Sequence, residues 1–405
     1  MPSHRTESSP LVIACALSLG AAMSLGMARF SYALLLPPMR ADLHWTYLLA
    51  GAMNTANAFG YLLGALATPW LLRRLRAQTL LIGGGLLTAL FLLISGWLID
   101  ATALLVLRTL AGCASALIFI AGGVLAARLG AHHPQRAGLL IGVYYGGTGL
   151  GIVLSALLVP GTQWLAATSE HAWQWAWRAL GLACLLATAV MAAPAQHIDG
   201  STAPVQVHDR FQWRAFRFGL LAYFLFGVGY IGYMTFVVAL LREQGMSATS
   251  ITLFYSLLGL AVMASSRIWA GLLDRFRGGQ SMAILNGLLA GATLIPAVTG
   301  AVPLLFVSGA LFGAVFLSVV ASTTALVRHN AAPAAWSAGI AAFTTVFAFG
   351  QIVGPTVVGW IADGTDGLQR GLVFSALALV LGALLATRQR ALAPMSENGG
   401  RAAAH

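Results

Sequence analysis

The sequence predicts an all-α membrane protein with twelve transmembrane helices, arranged as two pseudo-symmetric six-helix bundles. Of its 405 residues, 59% are hydrophobic and 8% are charged, whereas soluble domains carry about 25% charged residues. Apolar runs of about 20 residues, the length that crosses a bilayer as a helix, recur along the chain. A basic segment after the second run returns in a similar form after the eighth, which indicates a repeat.

The apolar runs define twelve spans, and one long polar connector separates the sixth span from the seventh. The predicted organisation is an N-terminal six-helix bundle at 1–193, a cytoplasmic linker at 194–212, and a C-terminal six-helix bundle with its tail at 213–405. The spans are 11–38, 46–70, 79–99, 102–128, 137–160, 172–193, 214–241, 248–273, 281–300, 302–327, 335–361 and 368–388.

The basic residues predict the orientation of the chain in the membrane. All 22 of them are arginine, and they cluster after the even-numbered spans and in the central connector. The loops on the other side hold only Arg40, Arg242 and Arg370. Because cytoplasmic loops carry the excess of arginine and lysine, we expect both termini in the cytoplasm and the protein in a bacterial inner membrane. The arginines form no basic stripe with interleaved aromatic residues, so the positive net charge does not indicate a nucleic-acid partner.

Two pairs of segments carry the internal repeat. Residues 71–76 (LLRRLR) follow the second span and 272–277 (LLDRFR) follow the eighth, its counterpart in the second half. The glycine-rich segment 145–151 of the fifth span corresponds to 349–355 of the eleventh. Repeated six-helix halves are typical of transporters that alternate access around a site at the middle of the membrane.

Several motifs resemble the major facilitator superfamily over nearly the whole chain. Residues 267–278 (RIWAGLLDRFRG) resemble its signature between helices 8 and 9, with one residue fewer between Gly271 and Asp274 than is usual. The first-half copy at 64–74 lacks the expected acid, and 108–112 (RTLAG) resembles the arginine motif of helix 4. The resemblance implies a transporter fold with alternating access.

Three shorter motifs resemble the YbfB-like branch of that superfamily. They are 26–32 (GMARFSY), 145–151 (YGGTGLG) and 226–230 (FGVGY). This narrower resemblance implies transport but does not identify a substrate. For gating, the superfamily signature points to Arg267, Asp274 and Arg275 on the cytoplasmic side, with an Arg267–Asp274 salt bridge. Gly354 and Pro355 are expected to kink the eleventh helix.

Arg29 is the most unusual residue of the predicted spans. It lies well past the middle of the first span, and no acidic residue lies at a similar depth in any span. A guanidinium at membrane depth costs about 2.5 to 3.5 kcal/mol on insertion scales. We interpret Arg29 as the countercharge for an anionic substrate. The alternative is that its side chain extends toward the interface near Pro37 or caps a helix end.

Arg108 and several polar side chains complete the candidate site. Arg108 either assists Arg29 or hydrogen-bonds to carbonyl groups of neighbouring helices. Asn54, Asn57 and Tyr61 share one helix face. Polar membrane residues also make interhelical hydrogen bonds worth about 0.6 kcal/mol, which is the structural alternative for each of them. The other predicted substrate ligands are Tyr32, Asn54, Asn57, Tyr144, Tyr145, Tyr230, Tyr233 and Gln351.

These features predict a secondary active transporter for a small organic anion such as a monocarboxylate. Coupling would use a proton carried by the substrate or the exchange of another anion, because no acid lies deep in a span. The sequence has no P-loop, no metal-ligand cluster and no nucleophile motif, so we expect no enzyme activity, cofactor or metal. Alternatives are an exporter of drugs or of neutral or cationic metabolites, and a transporter-like receptor. The expected form is a monomer in the lipid bilayer.

Overall fold

The computed structural model describes residues 9–198 and 211–392, and this part of the chain is helical with no β-strand. The predicted linker and tails therefore lie largely outside the described residues. Within these described ranges, eleven helices are long and apolar enough to cross a membrane, and a twelfth long helix is made less apolar by Asn54 and Asn57. The predicted all-helical membrane fold is confirmed. The helices are α1 (Pro10–Asp42), α2 (Tyr47–Leu72), α3 (Ala77–Ser95), α4 (Ala101–His132), α5 (Ala137–Leu165), α6 (Ala172–Gln196), α7 (Arg217–Glu243), α8 (Ala248–Ile268), α9 (Gln280–Val298), α10 (Val302–Asn330), α11 (Trp336–Ala362) and α12 (Gly367–Thr387).

The helices pack mainly with partners from their own half of the chain. In the first half α2 packs on α4, α3 on α4 and α6, and α1 on α5; in the second half α7 packs on α11 and α12, and α8 on α10. Contact between the halves is made by α2 with α11, by α5 with α8, and by the end of α1 with α7. We call the side at which α1 begins and α12 ends the terminal face, and the other side the opposite face.

The first helix is not a uniform α-helix. Its middle segment, Ala22–Phe30, is π-helical, so that Ser31 N–H donates to the carbonyl of Gly26 five residues earlier. The helix also continues through Pro37 and Pro38 to Asp42, four residues beyond the predicted end. At 1.5 Å per residue, the thirteen residues from Arg29 to Asp42 span about 20 Å. Arg29 is therefore deeper in the helix than the sequence indicated.

Glycine residues bring α5 close to two different helices. A Cβ on Gly26 would lie 2.4 Å from the Cα of Gly151, and one on Gly147 would lie 1.9 Å from the carbonyl oxygen of Ser18, so these positions bring α1 and α5 into backbone contact. Gly149 lies on another face of α5, where its backbone approaches the carbonyl oxygen of Gly259 on α8. This contact joins the two halves. The glycine-rich motif of the fifth span is thus a packing motif that serves one contact within a half and one between halves.

We expect Gly151→Ala to destabilise the protein, because the added methyl group would lie 2.2 Å from the carbonyl oxygen of Ala22 and would separate α1 from α5. Overpacking of this kind costs about 1 to 3 kcal/mol. Thermal unfolding in detergent measures the effect. The matched control is Gly83→Ala in α3, where nothing lies within 4 Å of an added Cβ. An unchanged melting temperature for Gly151→Ala would contradict the packing described here.

Candidate substrate site

Arg29 is buried inside the helix bundle without a hydrogen-bond partner for one edge of its guanidinium. Its side chain is 3% exposed, and neither Nε nor Nη2 has a partner among the described residues. The Arg29 guanidinium lies over the ring of Tyr61 on α2, whose centroid is 5.8 Å from the Arg29 Cζ. Buried charges in proteins are normally paired or hydrogen-bonded. This edge is thus a buried part of a charged group with no hydrogen-bond acceptor among the described residues.

The surroundings of Arg29 supply phenol hydroxyls but no carboxylate. In the described part of the chain every acidic residue lies at a helix end or in a loop. The charge of Arg29 acts on the hydroxyls of Tyr61 and Tyr230, which lie near it. Tyr61 in turn lies near Tyr145. The structure shows no hydrogen-bond partner for these three hydroxyls among the described residues. Tyr145 and Tyr230 were predicted as ligands, whereas Tyr61 was identified only as sharing a face with Asn54 and Asn57.

Arg108 differs from Arg29 because each of its three guanidinium nitrogens donates a hydrogen bond to the protein. Its Nη1 donates to the carbonyl of Ala28 at 2.7 Å, and its Nε and Nη2 donate to the Met53 carbonyl and to Asn54 Oδ1, each at 3.4 Å. The rings of Tyr32 and Trp177 cover it, with centroids 4.9 and 5.5 Å from Cζ. This is the structural alternative that the sequence left open, with acceptors on α1 and α2. A direct contact between Arg108 and substrate stays a prediction.

Three further predicted ligands connect helices to one another. The Tyr32 hydroxyl donates to the carbonyl of Ala50 at 2.9 Å, and the Asn57 amide donates to the carbonyl of Arg108 at 3.1 Å. Asn54 donates to the Thr235 hydroxyl at 2.6 Å, and this bond joins α2 of the first half to α7 of the second. Their polar groups therefore fix the positions of α1, α2, α4 and α7 around the two arginines.

Tyr144, Tyr233 and Gln351 have different surroundings. The Tyr144 hydroxyl donates to the carbonyl of Phe119 at 2.7 Å, within the first half. Tyr233 shares a hydrogen bond of 2.8 Å with Ser308, within the second half. Gln351 on α11 is buried, and the structure shows no hydrogen bond for its amide within the described residues. The structure thus leaves the amide of Gln351 more available to a ligand than the hydroxyls of the two tyrosines.

The two halves are joined at the opposite face by polar contacts that the sequence did not reveal. Asp363, at the end of α11, accepts hydrogen bonds from the backbone N–H groups of Tyr47 and Leu48, at 2.6 and 3.0 Å. These are the first two residues of α2, so a carboxylate of one half caps a helix of the other half. The Tyr47 hydroxyl also donates to Glu243 at 2.5 Å, beneath the guanidinium of Arg40. These contacts join the two halves at the opposite face.

Helices α2 and α11 also stay in contact farther from that face. Thr55 donates to the carbonyl of Ile352 at 2.9 Å and lies 2.8 Å from the hydroxyl of Thr356. Gly51 lets the Pro355 carbonyl approach, since a Cβ at Gly51 would lie 2.2 Å from that oxygen. Gly354 packs on α7, where an added Cβ would lie 2.6 Å from the carbonyl oxygen of Val228. Gly354 and Pro355 therefore pack closely against α7 and α2, and their role in movement stays a prediction.

The predicted gate residues at the terminal face are not joined in this conformation. Arg267, Asp274 and Arg275 are exposed, and no salt bridge between Arg267 and Asp274 is present in the described part of the chain. The expected ion pair fails to form because α8 ends at Ile268 and a separate short helix, Ala270–Arg275, carries Asp274. That break removes the helical register that would have placed the two side chains on one face.

The fold and the buried, polar centre between two sets of helices define the class of this protein as a multi-pass membrane transporter. A family model described as "Uncharacterised MFS-type transporter YbfB" matches residues 21–387. The chain belongs to this family of the major facilitator superfamily, which confirms the resemblance of its motifs. It is a transporter and not an enzyme.

Known proteins are similar to this chain over different shares of its length. Two proteins of Agrobacterium vitis named "Putative tartrate transporter" are 29% and 28% identical over 40% and 36% of this chain. The matched regions cover only 38% and 33% of those relatives. The crystal structure of an inward-facing, unoccupied bacterial homologue of the human lysosomal transporter Spinster is similar over 96% of this chain and all of that one, with a TM-score of 0.70 at 14% identity.

Two other solved structures share the fold. The nucleoside transporter NupG has a TM-score of 0.65 at 16% identity over 93% of this chain and 97% of that one. The human organic anion transporter MFSD10 has a TM-score of 0.60 at 16% identity over 94% of this chain and all of that one. At these identities the likeness establishes the shared fold alone.

The different environments of the two arginines predict opposite effects on stability. Arg29→Met should raise the free energy of unfolding by about 1 to 3 kcal/mol, because it removes buried donors that lack partners. Arg108→Met should lower it by a similar amount, because it removes three hydrogen bonds and two ring contacts. Thermal unfolding of both variants in one detergent tests the pair. Equal destabilisation by both substitutions would show that Arg29 is also engaged by the protein.

The helix cap at the opposite face predicts a shift in conformation when its charge is removed. Asp363→Asn keeps the size of the side chain but weakens a cap worth about 0.5 to 2 kcal/mol, which corresponds to a 2- to 30-fold shift toward opening of that face. Spin labels at Ala41→Cys and Thr365→Cys, in a background with the native cysteines replaced by alanine, report the distance between the halves.

Asp366→Asn is the matched control for this measurement. Asp366 is an exposed acid of the same loop, it makes no side-chain cap for α12, and asparagine tolerates its positive φ of 50°. We expect its distance distribution to match that of the unsubstituted protein. A longer-distance population in both variants would mean that the loop charge, and not the Asp363 cap, holds the face closed.

Proposed function

We propose that this protein is a secondary active transporter that carries a small organic anion and binds it at Arg29. The observation that supports this proposal is the free edge formed by Nε and Nη2, which is buried and has no acceptor in the described part of the chain. These two nitrogens form one edge of the planar guanidinium, and an N–H group of each points outward from that edge in nearly parallel directions. Such an edge matches the two oxygens of a carboxylate in a bidentate hydrogen-bonded pair.

The hydroxyls near Arg29 complement this edge. Tyr61, Tyr145 and Tyr230 come from α2, α5 and α7, so helices of both halves border the bound anion. Hydroxyls can donate to the carboxylate or to other polar groups of the substrate. A movement of one half relative to the other would then change the substrate's contacts, as alternating access requires. Gln351, Asn54 and Arg108 are proposed as supporting ligands after such a movement.

We further propose that the terminal face is cytoplasmic and that the structure represents a state closed to the other side of an inner membrane. The helix ends at the terminal face carry most of the arginines, and the hydrogen bonds that join the halves at a membrane surface lie at the opposite face. The proposed boundary between the halves is the linker at 194–212. Coupling would use a proton that travels with the anion or exchange for a second anion, and the protein would act as a monomer.

A binding screen of the purified protein tests the proposal. Tartrate, lactate and benzoate represent organic anions, and benzylamine represents organic cations; a ligand at 100 times its Kd stabilises the folded state by about 2.7 kcal/mol. We expect at least one anion to raise the melting temperature and the cation to have no effect. Arg29→Gln should weaken anion binding about 10- to 150-fold, because hydrogen bonds to charged groups are worth about 1.5 to 3 kcal/mol.

The matched control is Arg178→Gln. Arg178 lies at the start of α6, donates to the carbonyl of Gly96 at 2.8 Å, and contacts the rings of Trp97 and Trp175. Its substitution removes the same charge without touching the site, and anion binding should be unchanged. Uptake into proteoliposomes then separates transport from binding alone. Binding of the cation but of no anion would overturn the proposal and would favour the exporter of cationic or neutral compounds.

A further inference from the structure

A set of parallel aromatic rings lies beside the candidate site in the second half. Tyr223, Phe226 and Tyr230 on α7 stack on Phe347 of α11, with centroids 4.8 to 5.5 Å apart and planes within 9 to 20° of each other. Phe316 of α10 extends the set, since its ring lies 5.9 Å from that of Tyr230 at an interplanar angle of 7°. We call these five residues the aromatic wall. Phe347 is partly exposed, so the wall is not sealed on every side.

A second aromatic group faces the site from the first half. Phe119 on α4 packs against Tyr144 and Tyr145 on α5, at 6.2 and 5.5 Å between centroids. Phe119 is partly exposed and Tyr145 is 40% exposed, although both lie in the interior of long helices. In the aromatic wall Tyr223, Phe226, Tyr230 and Phe316 are buried, so Phe347 is the ring of the wall with exposed surface. Phe347, Phe119 and Tyr145 are therefore the rings that a ligand could contact in this conformation.

Arg29 lies close to Tyr61, and its chain neighbour contacts the aromatic wall. Its neighbour Phe30 packs edge-on against Phe316 of the aromatic wall at 5.8 Å. Its guanidinium is within electrostatic range of Tyr230 in the wall and of Tyr61, which is in turn within range of Tyr145 in the first-half group. A carboxylate on the free edge of Arg29 would therefore hold the rest of its molecule among aromatic rings.

The site offers one cationic edge and no second one. Arg108, the other arginine at this depth, donates from all three nitrogens to protein oxygens. In the described helices no further cation accompanies these two in the interior. A second carboxylate on the substrate would be buried without a countercharge, which is strongly unfavourable. The electrostatics thus favour a substrate with a single negative charge.

From this arrangement we propose that the substrate is an aromatic monocarboxylate, whose carboxylate binds the Nε and Nη2 edge of Arg29 and whose ring stacks with the aromatic wall. The inference rests on the proposed function, because it specifies the anion that Arg29 binds. Parallel rings accept a planar ring as a further member of the stack, whereas a saturated ring of the same size gains only hydrophobic contact. Tartrate, with two charges and no apolar part, fits this site poorly.

Competing anions test each part of the proposal on the full-length protein by isothermal titration calorimetry. Benzoate is the planar monoanion, cyclohexanecarboxylate is a non-planar monoanion of similar size, phthalate is a planar dianion, and tartrate is a polar dianion. We expect benzoate to bind most tightly, with an advantage of about 3- to 10-fold over cyclohexanecarboxylate from stacking. Phthalate and tartrate should bind more weakly than both.

Phe347→Leu tests the aromatic wall with a readout that a folding defect would not reproduce. The variant should lose the preference for benzoate over cyclohexanecarboxylate while it still binds both, because leucine retains apolar contact but cannot stack. Phe59→Leu is the matched control, since Phe59 is an exposed aromatic residue on α2 outside the wall. Its preference should be unchanged.

Two outcomes would overturn the inference in distinguishable ways. Arg29-dependent binding of tartrate that is tighter than that of benzoate, or equal affinity for benzoate and cyclohexanecarboxylate, would refute the aromatic substrate and leave the anion transporter in place. Failure of all four anions to bind, or binding unaffected by Arg29→Gln, would refute the proposed function itself.

Discussion

The protein leaves one buried guanidinium edge, that of Arg29, without an acceptor among the described residues. The π-helical segment Ala22–Phe30 sets the register of Arg29 in α1, and the glycine contacts of α1 with α5 hold that helix deep in the bundle. π-Helical segments are rare and are frequent at functional sites. An unsatisfied charge at this depth lowers stability, and such features persist where function requires them. The anion proposal follows from this one constraint.

The two interior arginines have different roles: Arg108 holds helices together, and Arg29 is the proposed anion ligand. Arg108 joins α4 to α1 and α2 through carbonyl and amide acceptors, and its charge lies against two aromatic rings. Because its hydrogen bonds are internal, it can shape the electrostatic potential of the site without offering a free edge. Arg29 has the complementary role, with a free edge and few fixed contacts. Arg108 is held by the protein and Arg29 has a free edge. The site therefore offers hydrogen-bond donors for a single negatively charged group.

Much of the fold could be predicted from the sequence, because hydropathy and the spacing of arginines report directly on membrane spans. The lack of acids in the interior of the spans was also readable from the sequence, but the full depth of Arg29 was not, because α1 continues through Pro37 and Pro38 to Asp42. The π-helix was not, because it depends on packing between α1 and α5 and leaves no periodic signature. Nor was the Asp363 cap, since Asp363 and Tyr47 are 316 residues apart and their contact exists only when the halves meet. Arg108 illustrates the same limit, because two of its three acceptors are backbone carbonyls, which carry no sequence signal.

The most direct test of the account is a structure with 4-bromobenzoate, whose bromine locates the ring by anomalous scattering. The account predicts a carboxylate about 2.7 to 2.9 Å from both Nε and Nη2 of Arg29, with the bromine signal beside Phe347. A ligand bound elsewhere, with the Nε and Nη2 edge of Arg29 hydrogen-bonded to protein carbonyls, would contradict the claim that this edge is kept free for an anion.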